Sequence, residues 1–352
     1  MNKNISIIIP FYYGYSNNDD PSYPVHVIGE ICSLSGKIPF VFGEENFFPQ
    51  IDLVTRKDML KNLHQYFHHN SIDEEYSAFI RFNFSFKKRI VVLEEKKKAL
   101  KIGDNLAYSN HLIGTLADLF TLFLLMMNIA RPGGVYAGGW FITVNRKQKN
   151  EWYHRLNKVN GANVDWLLWG VNSNENSNIK DLDILQTWRW FIKNIPLMYG
   201  KIQTPVSRAL HVYSKLLEKS SSTSEELQLL WSMIGLEAVF TDESINEESL
   251  SSQIVSKSKL LFDDMVNSKK IKNMYKIRSK FIHGKLNSTI LIEDVFEEEK
   301  IMDRYNFPIA DAAKLATTLL LSALQHFISN GWNDIKFDRK IFLEGKITTE
   351  QN

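Results

Sequence analysis

At 352 residues, with 44% hydrophobic and 23% charged side chains, the chain has the composition of an ordinary globular protein and is long enough for two domains. A formal charge of +2 excludes a polyanion-binding surface spread over the whole molecule, so any such surface must be local. The lone Cys32 excludes an intramolecular disulfide and a cysteine-rich zinc site, and points to a reducing, cytoplasmic setting.

Residues 1–100 read as β-rich. MNKNISIIIPFYYGY carries one lysine and a short apolar run broken by Pro10, too short and too rich in tyrosine for a signal peptide; it reads as a first strand. PVHVIGEICSL and PFVFGEENFF are β-branched and aromatic runs punctuated by Pro, Gly and Asn, and read as further strands. Between these and the next strand, DLVTRKDMLKNLHQYFHH has Met59, Leu60, Leu63 and Phe67 at helical spacing. His64 and His68 share a face of that helix, with His69 beside them, but no adjacent Glu or third ligand completes a metal site; we read them as surface histidines.

In SAFIRFNFSFKK, Phe79, Arg81, Asn83 and Ser85 alternate with Ile80, Phe82, Phe84 and Phe86, which predicts a strand with one wet and one buried face. KRIVVLEEKK reads as its hairpin partner. Residues 112–130, LIGTLADLFTLFLLMMNIA, are the most apolar run. Asp118 inside it, an upstream flank that carries only His111 and the lack of a second span after it favour a buried central helix over a membrane span. RPGGVYAGGW lacks both phosphate-loop spacings and reads as a turn into the strand WFITV. The Asn/Ser-rich segment GVNSNENSNIKD reads as a linker or exposed loop.

The remainder reads as helix. LDILQTWRWFIKNIPLMYG predicts a helix up to Pro196. Thr204 and Pro205 open the next as N-cap and first residue, and Ser224 before Glu225 and Glu226 opens a third. Residues 249–267 and 269–283 make two more, and Ile309–Gly331 is a long apolar closing helix with Gly331 at its C-cap. The fold class expected is α+β: a β-rich N-terminal domain with a buried apolar helix (1–180), an all-α up-down bundle (181–335) and a tail (336–352).

Chemistry concentrates in IKNMYKIRSKFIHGK. Ile271, Met274, Ile277 and Phe281 form the buried stripe of an amphipathic helix, and Gly284 sits where a left-handed residue would end it. His283 falls at that end. Arg278 lies five residues back, about 140° away around the axis, so the two are expected to flank the buried stripe. Ser279, four residues before His283, shares its face. From Met265 to Ile292 there is no acidic residue, whereas Lys269, Lys270, Lys272, Lys276, Arg278, Lys280 and Lys285 all fall there.

The run Arg278-Ser279-Lys280-Phe281-Ile282-His283 resembles the Arg-x4-6-His motif of the HEPN superfamily, helical proteins that include many metal-independent RNases. With LWSMIGLEAVF (Leu230–Phe240) upstream and the apolar closing helix, residues 205–330 look like the Apea-like branch. The resemblance implies a homodimer in which Arg278 and His283 of both protomers line one cleft and cut RNA without metal or cofactor. Arg278 and His283 are the implied catalytic pair, Ser279 and Glu237 supporting residues, and Lys276, Lys280 and Lys285 the RNA contacts. Ser279 departs from the Asn, Asp or His common there. The same resemblance implies a cytoplasmic bacterial anti-phage or stress effector acting on host or phage RNA, tRNA being one candidate, with the N-terminal part sensing a ligand or protein trigger. A non-catalytic dimerisation or nucleotide-binding module is the alternative.

Overall fold

The computed structural model describes residues 3–11, 23–42, 45–54, 78–86, 104–132, 139–146, 149–156, 179–194, 196, 203–218, 224–241, 249–262, 267–285 and 307–337. In chain order these form β1 (Lys3–Phe11), α1 (Tyr23–Ser33), β2 (Phe40–Phe42), β3 (Glu45–Phe47), β4 (Gln50–Val54), β5 (Ala78–Phe86), α2 (Asp104–Ala130), β6 (Gly139–Arg146) and β7 (Lys149–Leu156). The helices α3 (Ile184–Lys193), α4 (Pro205–Leu216), α5 (Glu225–Phe240), α6 (Leu250–Phe262), α7 (Ser268–Ile282) and α8 (Phe307–Ser329) follow. The class is α+β, with the strands early and helices thereafter.

Five strands form an antiparallel sheet in the order β4-β5-β1-β6-β7, and β2 pairs with β3 as a separate ribbon. The alternation read in β5 is realised. Ile80, Phe82 and Phe84 pair with Ile9, Ile7 and Ile5 of β1 and point into the core. On the opposite face Asn83 accepts from Ser6 Oγ at 2.6 Å and donates to Asp52 Oδ1 at 2.8 Å, while Arg81 pairs with Asp52. Both edges of β5 are taken, by β1 and β4; the hairpin partner expected at 88–97 lies outside the described residues.

Two local readings are corrected. PVHVIGEICSL is helix α1 rather than a strand: Val27, Ile28 and Ile31 are buried at one- and three-residue spacing, a helical face built from β-branched residues. Burial of that face overrides the weak preference of Val and Ile for strands. Likewise Asp52, Leu53 and Val54 do not open a helix; they belong to β4, fixed by pairing with Arg81, Ile80 and Phe79 of β5. The helical pattern from Met59 to Phe67 and the histidines His64, His68 and His69 lie outside the described residues.

Helix α2 is the pivot. Its side chains from Leu116 to Ala130 are almost all buried, with Asp118 at the surface. It is apolar around most of its circumference because it is covered on more than one side. On the sheet side Phe120 stands edge-on to Phe82 with ring centroids 4.9 Å apart, and Phe40 stacks on Phe120 at 5.2 Å. On the helical side its last turn is tied by polar side chains: Tyr213 Oη donates to the Asn128 carbonyl at 3.2 Å, and Gln325 Nε2 donates to the carbonyls of Ile129 and Lys180 at 2.7 Å each. One hydrophobic core therefore runs from β1 to α8 without a break at residue 180. Among the described residues no helix is long and apolar enough to cross a membrane.

The helical part is held by α5 and α8. Ser232 and Thr317 hydroxyls meet at 2.8 Å in the buried contact, and Gly235 lies so close that a Cβ there would stand 2.7 Å from Leu320 Cδ2. Glycine is what lets the two backbones approach. Thr204 caps α4 through a reciprocal capping box with Ser207, Ser224 caps α5, and Pro205 opens α4 as read. Helix α8 ends with Gly331 at φ 69°, Trp332 N–H donating to the Phe327 carbonyl at 2.8 Å.

Candidate functional site

The site is built on α7 and the face of α5 it meets. Asn267 caps α7, its side chain accepting from the backbone N–H of Lys269 and Lys270. Ile271, Met274 and Ile277 are buried, and the helix stops at His283 as C-cap. Gly284 follows at φ 63°, a left-handed conformation that suits glycine. Lys285 N–H donates to the Lys280 carbonyl at 2.7 Å, and Gly284 N–H to Phe281 at 3.0 Å. This double closure fixes the helix end, and His283 with it. Its side chain is exposed, and its backbone N–H donates to the Ser279 carbonyl at 3.1 Å. A cation at this position is favoured by the negative end of the helix dipole.

Arg278 is placed differently from the expectation that it and His283 would flank the packed stripe. At about 100° per residue, Arg278 falls among Ile271, Met274, Ile277 and Phe281, in the middle of the packed side. There its side chain, 20% exposed, reaches Glu237 of α5, itself 21% exposed, with Arg278 Nη2 donating to Glu237 Oε2 at 3.4 Å. His283 stands on the solvent side. One protomer therefore brings Arg278 to Glu237, and does not bring it to His283.

The Arg278–Glu237 pairing is loose. Glu237 Oε1 and Arg278 Nε are both buried without a hydrogen-bond partner among the described residues. Oε1 lies 3.4 Å from the same guanidinium nitrogen, within ion-pair range but outside hydrogen-bond geometry. Burial pushes the Glu237 carboxyl above the ordinary carboxylate range, and Arg278 only partly opposes this. Tyr275, absent from the reading of the sequence, completes the group. Its ring lies 5.7 Å from the Arg278 guanidinium, and burial together with the Glu237 charge raises its phenol. The available signal was spacing, because Tyr275 and Arg278 are three apart on one helix.

The lysines lie apart from this group. Lys269, Lys270, Lys272, Lys276, Lys280 and Lys285 are all exposed, and Ser279 is half-buried. Helix α6, packed against α7, contributes no acidic residue either between Leu250 and Phe262. The exposed lysines of this surface are those of α7 and its C-terminal end, since on α6 Lys257 is buried and Lys259 half-buried. Among the described residues no three His, Cys, Asp or Glu side chains are grouped to hold a metal ion.

No known protein family, curated protein or solved structure matches the chain.

Proposed function

We propose that the protein is a metal-independent endoribonuclease of HEPN type, active as a homodimer. The observation that carries this is an exposed, acid-free lysine helix that ends in an exposed histidine, with an arginine five residues back whose Nε has no partner among the described residues. RNA can be cut by its own 2′-OH. His283 of one protomer takes the hydroxyl proton, the oxygen attacks the adjacent phosphorus, and the bond to the 5′ oxygen breaks. His283 of the second protomer protonates the leaving oxygen, and a 2′,3′-cyclic phosphate results. Arg278, always charged and forked, serves the non-bridging oxygens as charge builds. One protomer supplies half of this set, which is why two copies are required. Lys276, Lys280 and Lys285 hold the phosphate backbone through salt-sensitive, sequence-independent contacts. In this reading the protein is a cytoplasmic toxin-like effector of antiviral defence or stress, with tRNA as a candidate substrate and a trigger acting at the N-terminal part.

The second reading is a non-catalytic helical module for dimerisation or nucleotide binding. It is favoured by Arg278 facing Glu237 rather than solvent.

The test is cleavage of tRNA and of a generic single strand in excess EDTA by wild type, His283→Ala and Arg278→Ala. Cleavage that survives EDTA, leaves 2′,3′-cyclic phosphate ends and falls by about 10²–10⁴-fold on loss of His283 is the expected result. Equal cutting by wild type and variants removes the site assignment. An absence of cutting alongside intact dimerisation selects the binding module.

A further inference from the structure

We propose that α7 is a track for single-stranded RNA, on which Lys269, Lys272, Lys276 and Lys280 hold successive phosphates and lead the strand to His283. The proposal rests on the RNA reading above for its class of ligand. It adds the form of the RNA, its path, and Lys269 and Lys272 as contacts.

The geometry is that of the helix itself. At about 100° per residue, Lys269, Lys272, Lys276, Lys280 and His283 fall within an arc of about 80°, opposite the buried side chains. All five are exposed. At about 1.5 Å per residue the four lysines span about 16 Å, and the imidazole lies about 4–5 Å further on. A helically stacked strand carries one phosphate per about 3.4 Å, so the lysines cover about five phosphates. Such a stripe is one lysine wide and faces one backbone, not the two strands that border a groove. A-form duplexes also present a major groove too deep and narrow for a helix to enter.

Neither α7 nor α6 carries an acidic side chain, and on the other two helices packed against α7 the acids are Glu225, Glu226 and Glu237 of α5 and Asp311 of α8. The nearby Glu237 is on the other side, turned toward Arg278. Nor does the stripe offer an aromatic platform; Tyr275, on α7, lies against Arg278. Binding is therefore expected to be electrostatic and indifferent to sequence.

The experiment measures binding of the full-length protein to a short, uncleavable 2′-O-methyl single strand over a salt series. The variants are Lys272→Ala/Lys276→Ala, a control pair of exposed lysines elsewhere (Lys37→Ala/Lys193→Ala), and His283→Ala. Removing two phosphate contacts should lower the slope of log affinity against log salt by about 1.4, at about 0.7 per contact. The control pair should leave the slope unchanged. Equal slopes for all proteins, equal loss in the control pair, equal competition by duplex RNA, or no binding by wild type would each overturn the track. So would capture of anionic lipid vesicles through the same lysines without RNA binding. If binding depends on the lysines but no form of the protein cuts RNA, the track stands and the nuclease reading falls.

Discussion

Two arginines in this molecule pair with glutamates across elements, and they do so in opposite styles. Arg131, just past the end of α2, has a side chain only 9% exposed and uses its whole fork. Nε and Nη2 donate to the two Glu30 oxygens at 2.8 and 3.0 Å, Nη1 donates to the Ala130 carbonyl at 3.0 Å, and Nη1 also reaches the carbonyl of Leu182. Arg278 reaches Glu237 through one nitrogen at 3.4 Å and leaves Nε buried and unspent. A saturated bidentate fork rivets α1, α2 and the segment before α3 together. An unsaturated one leaves a buried donor unmet, at a cost of about 1–3 kcal/mol. In the nuclease reading proposed above, the first arginine builds the fold and the second meets a phosphate once its side chain leaves Glu237.

The largest effect that would sharpen this contrast is at Arg131. Arg131→Met should destabilise the full chain by about 2–3 kcal/mol, because the Leu182 carbonyl loses its donor and the Ala130 carbonyl keeps only the Leu182 N–H, while half-exposed Glu30 can turn to water. Urea denaturation reads this directly. Arg278→Met should cost only about 1 kcal/mol by the same measurement, yet abolish RNA cleavage. Comparable losses of stability at both sites would erase the distinction, and with it the argument that Arg278 is kept for a ligand.

A smaller effect probes how Arg278 is held. Tyr275→Leu removes the ring beside the guanidinium, a contact worth about 0.5–1 kcal/mol, whereas Tyr275→Phe keeps it. If the ring orients Arg278, cleavage should fall in the leucine variant and be retained in the phenylalanine variant, with matched folding stability checked by thermal melting. An equal fall in the two would place the role in the hydroxyl, which hydrogen-bonds Glu237, and full activity in both would leave Tyr275 a packing residue.

Much of the helical part could be read from residues alone, because caps and stripes are local. Thr204 with Pro205, Ser224, and the His283–Gly284 ending act within one turn, and each is found where the pattern puts it. The alternation in β5 from Ile80 to Ser85 and the burial of most of 116–130 were readable for the same reason, although Phe79, read on the wet face, is buried. What failed depended on distant partners. Helix α1 is built from Val27, Ile28 and Ile31, which fit a strand as readily until something buries them. Asp52 to Val54 take their conformation from β5. The orientation of Arg278 toward Glu237 depends on how α5 meets α7, which no spacing within α7 encodes, and so the sequence suggested a pair, Arg278 and His283, that one protomer holds apart.

The smallest prediction concerns the carboxyl that Arg278 meets. Burial lifts Glu237 above its ordinary value of 4.5, and Arg278 acts in the opposite sense but does not cancel it. In the unfolded chain the ordinary value returns. Between the two, the folded protein keeps a proton that the unfolded chain has released, so this group's contribution to stability is complete below 4.5 and is lost as pH rises through the folded value. Glu237→Gln cannot titrate. Its urea midpoint should therefore gain on that of wild type as pH rises from about 4.5, then run parallel once Glu237 is ionised in the fold. A constant difference between the two proteins across the window would mean that Arg278 outweighs burial and holds the carboxylate fully charged. The guanidinium would then be committed to Glu237 in charge as Arg131 is committed to Glu30 in geometry, and a phosphate would have to break that commitment before it could bind.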